Sequence, residues 1–188
     1  TTAAVSQIRA GMNGSQLAGL TYQTPKAMKS TITVTLIATM KALRILADRQ
    51  GLAVTSRRIT LSTVGVLPAL ERLASEPFMP NLAISLHSTT EDQRDRLVPI
   101  NRKYGLQDLL DACRRFPLKR RNRITFEYVL LDQVNDTPED ARRLVKLLHG
   151  IKAKVNLLPL NAAPGIPFER PSDDRVNRFA AILADHQV

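Results

Sequence analysis

Four short runs of strand-forming residues, each followed by a stretch whose apolar side chains recur at helical spacing, constrain this chain more than any other feature. The runs are Arg58-Ile59-Thr60-Leu61-Ser62, Leu82-Ala83-Ile84-Ser85-Leu86, Ile124-Thr125-Phe126-Glu127-Tyr128-Val129-Leu130-Leu131 and Val155-Asn156-Leu157-Leu158. Parallel neighbours need a crossover long enough to hold a helix, whereas a hairpin needs only a short turn. Strand and helix in alternation therefore predict parallel βαβ units in an α/β fold. A full or partial (β/α) barrel and a doubly wound sheet both satisfy the pattern. The third run becomes continuously apolar toward its end, as a strand buried on both faces does.

The helical segments carry their own start and stop signals. Met40 to Leu46 has apolar residues on one face, with Gly51 as its expected stop. Gly65 marks a turn, and Pro68 opens a helix. Ser88, Thr89 and Thr90 offer N-caps to a helix whose first turn, Glu91-Asp92, suits the helix dipole. Leu106, Leu109, Leu110 and Cys113 share one helical face. Thr137-Pro138-Glu139-Asp140 combines a cap, a proline at the first helical position and acids. Ser172 caps a last helix with a Phe179, Ile182, Leu183 stripe. Residues 1–35 are poorly patterned: Thr1–Arg9 reads as a helix and Thr31–Thr35 as a strand. One domain is expected over 1–188, with its βα units in 36–188.

With 188 residues, 44% of them hydrophobic, the chain can bury one core. The balance of 27 Lys+Arg against 17 Asp+Glu, a net +10, favours a polyanionic partner. An anionic membrane competes with nucleic acid on charge alone, yet no run approaches a spanning helix and no export or lipidation signal is visible. Aromatic content of 4% without tryptophan argues against stacking bases on an exposed sheet. A single cysteine excludes an internal disulfide framework and a Cys-rich metal site within the chain, and the expected location is cytoplasmic.

Ligands of parallel α/β folds sit at the carboxyl ends of the strands. Those ends are Ser62-Thr63, Ser85-Leu86-His87-Ser88, Asp132-Gln133-Val134-Asn135-Asp136, and Pro159-Leu160-Asn161. Hydroxyls, an imidazole, carboxamides and carboxylates on one rim suit a ligand with ribose and amino-acid groups. Each has a plainer reading: Ser62, Thr63, Ser88 and Thr89 as caps, His87 as a satisfied core histidine, Asn161 as a turn former beside Pro164-Gly165. The basic run Lys119-Arg120-Arg121-Asn122-Arg123 precedes a strand and so lies at the end away from the rim. It reads as a solvated loop, with RNA contact the lesser reading. Cys113 reads as a small buried hydrophobe.

These strand ends also carry a resemblance. Arg57-Arg58-Ile59-Thr60-Leu61-Ser62-Thr63-Val64-Gly65-Val66, Leu82-Ala83-Ile84-Ser85-Leu86-His87, and Arg94-Asp95-Arg96-Leu97-Val98-Pro99-Ile100-Asn101 resemble the RlmN/Cfr family of radical S-adenosylmethionine (SAM) RNA methyltransferases. So do Glu127 to Asp136 and Val155 to Asn161, all in order from about residue 39 onward. The details are nearer to members that methylate adenine C2 in 23S rRNA and tRNA than to those that methylate C8. The resemblance implies a partial parallel (β/α) barrel of the radical SAM type, here incomplete at both ends. It also implies a 4Fe-4S cluster, and SAM at the strand ends on Ser62, Ser85, Leu86, His87 and Asn161. In the family one SAM is cleaved to a radical, and a second has already methylated a cysteine that passes its methyl carbon to the adenine.

Three family features have no counterpart in the sequence. There is no C-x3-C-x2-C triplet for the cluster, so no metal ligand is assigned. Val34-Thr35-Leu36-Ile37-Ala38 runs through where a Gly-Glu-Pro loop is expected. The methyl-carrying cysteine is expected beyond Val188, so no catalytic residue is assigned either. The expectation is a chain inactive by itself, or a non-catalytic SAM- or RNA-binding remnant of the same barrel. A barrel enzyme acting on a phosphorylated metabolite is the weaker reading, for want of a Gly-rich phosphate loop.

Overall fold

Each strand pairs in parallel with the one that precedes it in the sequence. In a computed structural model that describes residues 37–161 and 163–187, β1 (Thr60–Thr63), β2 (Asn81–Ser85), β3 (Ile124–Leu130) and β4 (Ala153–Pro159) form one sheet in the order β1-β2-β3-β4. Helix α1 (37–47) precedes β1, helices α2 (Leu67–Ala74), α3 (Glu91–Leu97), α4 (Leu106–Arg115) and α5 (Pro138–Leu148) fill the connections, and α6 (Asp173–Asp185) follows β4. The expected helix at Thr1–Arg9, the strand at Thr31–Thr35 and most of Val34–Ala38 lie outside the described residues.

Strand register separates the two faces. Leu61 pairs with Leu82, Ile84 with Phe126, and Phe126 with Val155. These side chains point to one side, where they join Leu70 and Leu73 of α2, Leu109, Leu110 and Cys113 of α4, Leu144 of α5 and Phe179 of α6 in one buried cluster. The other face carries Ser62, Ala83 and Thr125 in one row, then Ser85, Glu127 and Asn156 in the next. Helices from all the connections thus cover a single face. A doubly wound sheet buries both faces, so the one-sided cover decides for a partial barrel, with the polar face inside.

The same alternation corrects the reading of β3. Ile124, Phe126, Tyr128 and Leu130 are buried, while Thr125, Glu127 and Val129 between them are only partly so. Its apolar end therefore belongs to a strand packed on one face. β1 begins at Thr60 because Ser56–Arg58 form a 3-10 turn. Beyond α1, the left-handed residue of the turn is Ala53, not Gly51.

Of three hydroxyls before α3, Thr90 alone caps it, accepting from the Gln93 N–H. Ser88 donates instead to Gln93 Oε1 and the Thr90 carbonyl, and Thr89 reaches Asp140 on α5. Thr137 and Asp140 form a reciprocal capping box on α5, and Ser172 caps α6. Gly65 adopts φ +93°, and a Cβ there would stand 2.6 Å from Leu109 Cδ1, so the turn after β1 can press against α4 only without a side chain.

Candidate functional site

Glu127 organises the open face. It lies mid-strand on β3, level with Ser85 on β2. Its Oε2 accepts hydrogen bonds from Ser85 Oγ (3.0 Å) and Ser62 Oγ (2.9 Å), bridging three strands. Both serines therefore donate inward to the carboxylate and keep lone pairs for a ligand. The residue reading missed Glu127 as a site member. The available signal was one carboxylate in a strand otherwise made of apolar and neutral residues.

His87 follows β2 with φ +58°, in the left-handed region that few non-glycine residues occupy. Its Nδ1 accepts from the Val129 N–H at 3.2 Å. Burial, partly offset by the Glu127 charge and reinforced by Arg94, lowers its pKa to about 4. The ring is thus neutral near pH 7. With Nδ1 used as an acceptor, the proton sits on Nε2, which becomes a donor. Asn135 secures the backbone here: its carboxamide donates to the His87 carbonyl (2.9 Å) and the Val129 carbonyl (2.7 Å), and accepts from the Leu131 N–H (2.8 Å).

Leu86 is placed differently from its neighbours. Its side chain is wholly buried in the helix-side core, its N–H donates to the Glu127 carbonyl and its carbonyl accepts from Arg94 Nε. Any contribution to a ligand passes through its backbone. Asn161 stands exposed just past β4, with no hydrogen bond to the other four residues. Ser62, Ser85 and His87 thus gather around Glu127, while Leu86 faces away and Asn161 stands apart. Asn135 and Asp136, read as rim groups, are buried instead; Asp136 holds Arg175 of α6 in a bidentate pair at 2.5 and 2.6 Å.

A buried guanidinium supports this arrangement. Arg94 of α3 is 0% exposed and donates to the Val64 carbonyl (2.8 Å) after β1, the Ser85 carbonyl (3.4 Å) at the end of β2, the Leu86 carbonyl (3.3 Å) just past it, and Asn101 Oδ1 (2.7 Å). Asn101 donates in turn to Glu91 (2.6 Å) and Asp95 (2.7 Å), and Glu91 accepts from the Leu106 N–H at the start of α4 (3.1 Å). Desolvation lowers the Arg94 pKa to about 10, opposed by the Glu91 and Asp95 charges, so it stays cationic near neutrality.

The donor set bears on both groups the resemblance implies. One carboxylate, two hydroxyls with free lone pairs and an imidazole N–H suit the ribose and amino groups of SAM. A 4Fe-4S cluster does not fit the described residues. The single thiol, Cys113, is buried in the helix-side core, where desolvation raises its pKa to about 12. Nor do three or more metal-ligating side chains gather anywhere among the described residues. Iron and sulfide reconstitution of the 188-residue chain is expected to leave no stoichiometric 4Fe-4S absorption, because the cluster needs thiolates; a stable chromophore would reverse that conclusion.

No family model matches the chain. It is 50% identical over 147 residues to the dual-specificity RNA methyltransferase RlmN of Syntrophotalea carbinolica, an alignment covering 78% of this chain and 39% of that protein. Against RlmN of Geobacter sulfurreducens the identity is 53% over 146 residues, covering 78% and 40%. The chain therefore spans about two-fifths of the length of these curated relatives. A crystal structure of a radical SAM methyltransferase from Sphaerobacter thermophilus superposes with a TM-score of 0.77 at 48% identity, covering 80% of this chain and 44% of that one.

Proposed function

Since the chain belongs, over the stretch it shares with those relatives, to the RlmN family of radical SAM RNA methyltransferases, we propose that it forms the SAM-holding part of an enzyme that methylates C2 of adenosine in 23S rRNA and tRNA. The observation that carries this reading is the convergence of Ser62, Ser85 and His87 on Glu127 at the open face, in a sequence half identical to RlmN. No described helix is long and apolar enough to cross a membrane, and we place the protein in the cytoplasm with its RNA.

Each side chain then has a definite task. Glu127 accepts from hydroxyl or ammonium groups of the ligand while holding the two serines in one orientation. Ser62 and Ser85 offer lone pairs, and His87 donates from Nε2 to a ring nitrogen or ribose oxygen. Asn161 closes the pocket from the β4 side, and Leu86 contributes backbone only. Bound at this rim, SAM supplies the methyl group. By itself the chain, with one buried thiol, acts as a SAM-binding piece without turnover.

Titration calorimetry of the chain with SAM is expected to show binding, and Glu127→Ala to weaken it about ten-fold or more, through lost charge-assisted hydrogen bonds. A silent titration removes the SAM assignment. The reaction itself is tested with a chimera in which this segment replaces its counterpart in Geobacter sulfurreducens RlmN. Expressed in cells lacking RlmN, it is expected to restore 2-methyladenosine to 23S rRNA and tRNA, measured by mass spectrometry. A folded chimera that restores none contradicts the proposed reaction.

A further inference from the structure

The amino-terminal end of the sheet, opposite the rim, bears two adjoining hollows of about 380 and 280 Å³. Arg57, Lys119, Arg120, Arg121, Arg123 and Lys154 border them, and Asn81, Arg121 and Asn122 belong to both, so the hollows form one groove. No aspartate or glutamate lines it. None of the six cations is paired with a described carboxylate, although Arg44, Arg114, Arg142, Arg143, Arg170 and Arg175 elsewhere all are.

The backbone under these cations is held in place. The Asn122 N–H donates to the Lys119 carbonyl at 2.9 Å, closing the turn that carries Arg120 and Arg121. Asn81 Nδ2 donates to the Arg57 carbonyl at 2.9 Å, fastening the 3-10 turn to β2. Six like charges on fixed backbone repel one another unless a polyanion or condensed counterions neutralise them.

We propose that this groove is a docking site for the phosphodiester backbone of a nucleic-acid strand, gripped by charge without regard to base sequence. The exposed large apolar side chains, Ile37, Ile45, Leu52, Val64 and Leu158, lie outside the groove, so it lacks the hydrophobic component of a membrane-surface site. No aromatic residue lines it, which removes base stacking as a source of affinity or selectivity. With β3 spanning about 20 Å, at roughly 3.3 Å per residue, a nucleotide in the groove is not the one presented at the rim. The groove therefore holds flanking nucleic acid. This inference shares no residue with the rim, and its test contains no SAM, so it can fail while the proposed function stands.

The test is fluorescence anisotropy of the full chain with a labelled RNA of about 20 nucleotides, and with DNA of the same sequence, over about 50–200 mM salt. Log affinity is expected to fall linearly with log salt, with a slope of about −3.5 to −4.2 for five or six neutralised phosphates at about 0.7 each. Scrambled RNA should bind within about three-fold. Arg121→Glu with Arg123→Glu should weaken binding about ten-fold or more and flatten the slope by about 1.4. Arg142→Glu with Arg178→Glu, the same change in net charge placed on α5 and α6, should change it less than about three-fold. Arg121→Gln with Arg123→Gln, which removes two of the groove's charges without reversing them and leaves Lys119 and Arg120 in place, should give a smaller loss in the same direction, with circular dichroism unchanged. Tighter binding of RNA than of DNA points to RNA as the natural strand, and equal binding to either; both support the groove. The proposal is overturned by absent or salt-insensitive binding, by equal losses in the groove and control pairs, or by capture on anionic phospholipid vesicles without RNA binding.

Discussion

Arg94→Met is expected to destabilise the protein by about 3–5 kcal/mol, seen as a lower urea midpoint at unchanged slope. The side chain is fully buried, yet its partners are three backbone carbonyls and a carboxamide drawn from three separate places in the chain. Removing the guanidinium leaves those acceptors without water, at about 1–3 kcal/mol for each that finds no new partner. It also frees Asn101, through which Glu91 and the start of α4 are aligned. Arg94→Lys keeps the charge but not the planar fork, so an intermediate loss is expected. Exposed Arg96, two residues along the same helix, is the control: Arg96→Met should stay within about 0.5 kcal/mol. A loss under about 1 kcal/mol for Arg94→Met would show that the network is not what positions Ser85 and His87.

Arg94 also marks where the sequence stops being informative. Within Glu91-Asp92-Gln93-Arg94-Asp95-Arg96 it looks like one more solvated charge, because local periodicity does not say which charged side chain turns inward. Its burial follows from the way α3 lies across the ends of β1 and β2, a tertiary fact. Glu127 was hidden for a related reason. Alternation along β3 puts it on the face opposite Phe126, but its meeting with Ser62 and Ser85 depends on inter-strand register, which no single strand encodes. Local chemistry was legible wherever it was self-contained. The Thr137-x-x-Asp140 capping box, the Ser172 cap, the buried stripe of α4 and the parallel pairing of the strands follow from spacing alone. The choice between barrel and doubly wound sheet was not legible in the spacing, since it turns on which side of the sheet every helix takes; the family resemblance alone pointed to the partial barrel. The polar strand ends were legible as a set, yet burial divided them: Asn135 and Asp136 hold loops together, and Leu86 packs in the core.

His87 gives the second large effect, through pH. Its folded pKa, lowered to about 4 chiefly by desolvation, lies below the 6.5 of an unperturbed histidine. Between those values the unfolded chain binds the proton and the folded one does not, so acid favours unfolding. The stabilisation associated with the neutral ring is complete above about pH 6.5 and is lost as pH falls toward 4. It amounts to roughly 3 kcal/mol over the whole range, of which about 2 falls between pH 7 and 5. Protonating Nδ1 would also abolish the bond it accepts from the Val129 N–H, so the loss has a structural counterpart at the rim. The charged groups that bear on the ring are Glu127, which favours its protonation, and Arg94, which opposes it; burial outweighs both. Urea unfolding at intervals from pH 7 to 5 measures the slope. His87→Asn is the comparison, because asparagine tolerates the left-handed backbone found at φ +58° but has no titrating ring. The variant should be less stable at pH 7 and nearly flat over this interval, its curve converging on the parent's as pH falls. Equal slopes in the two proteins would mean that His87 titrates normally, and the neutral Nε2 donor assigned to ligand binding would go with it.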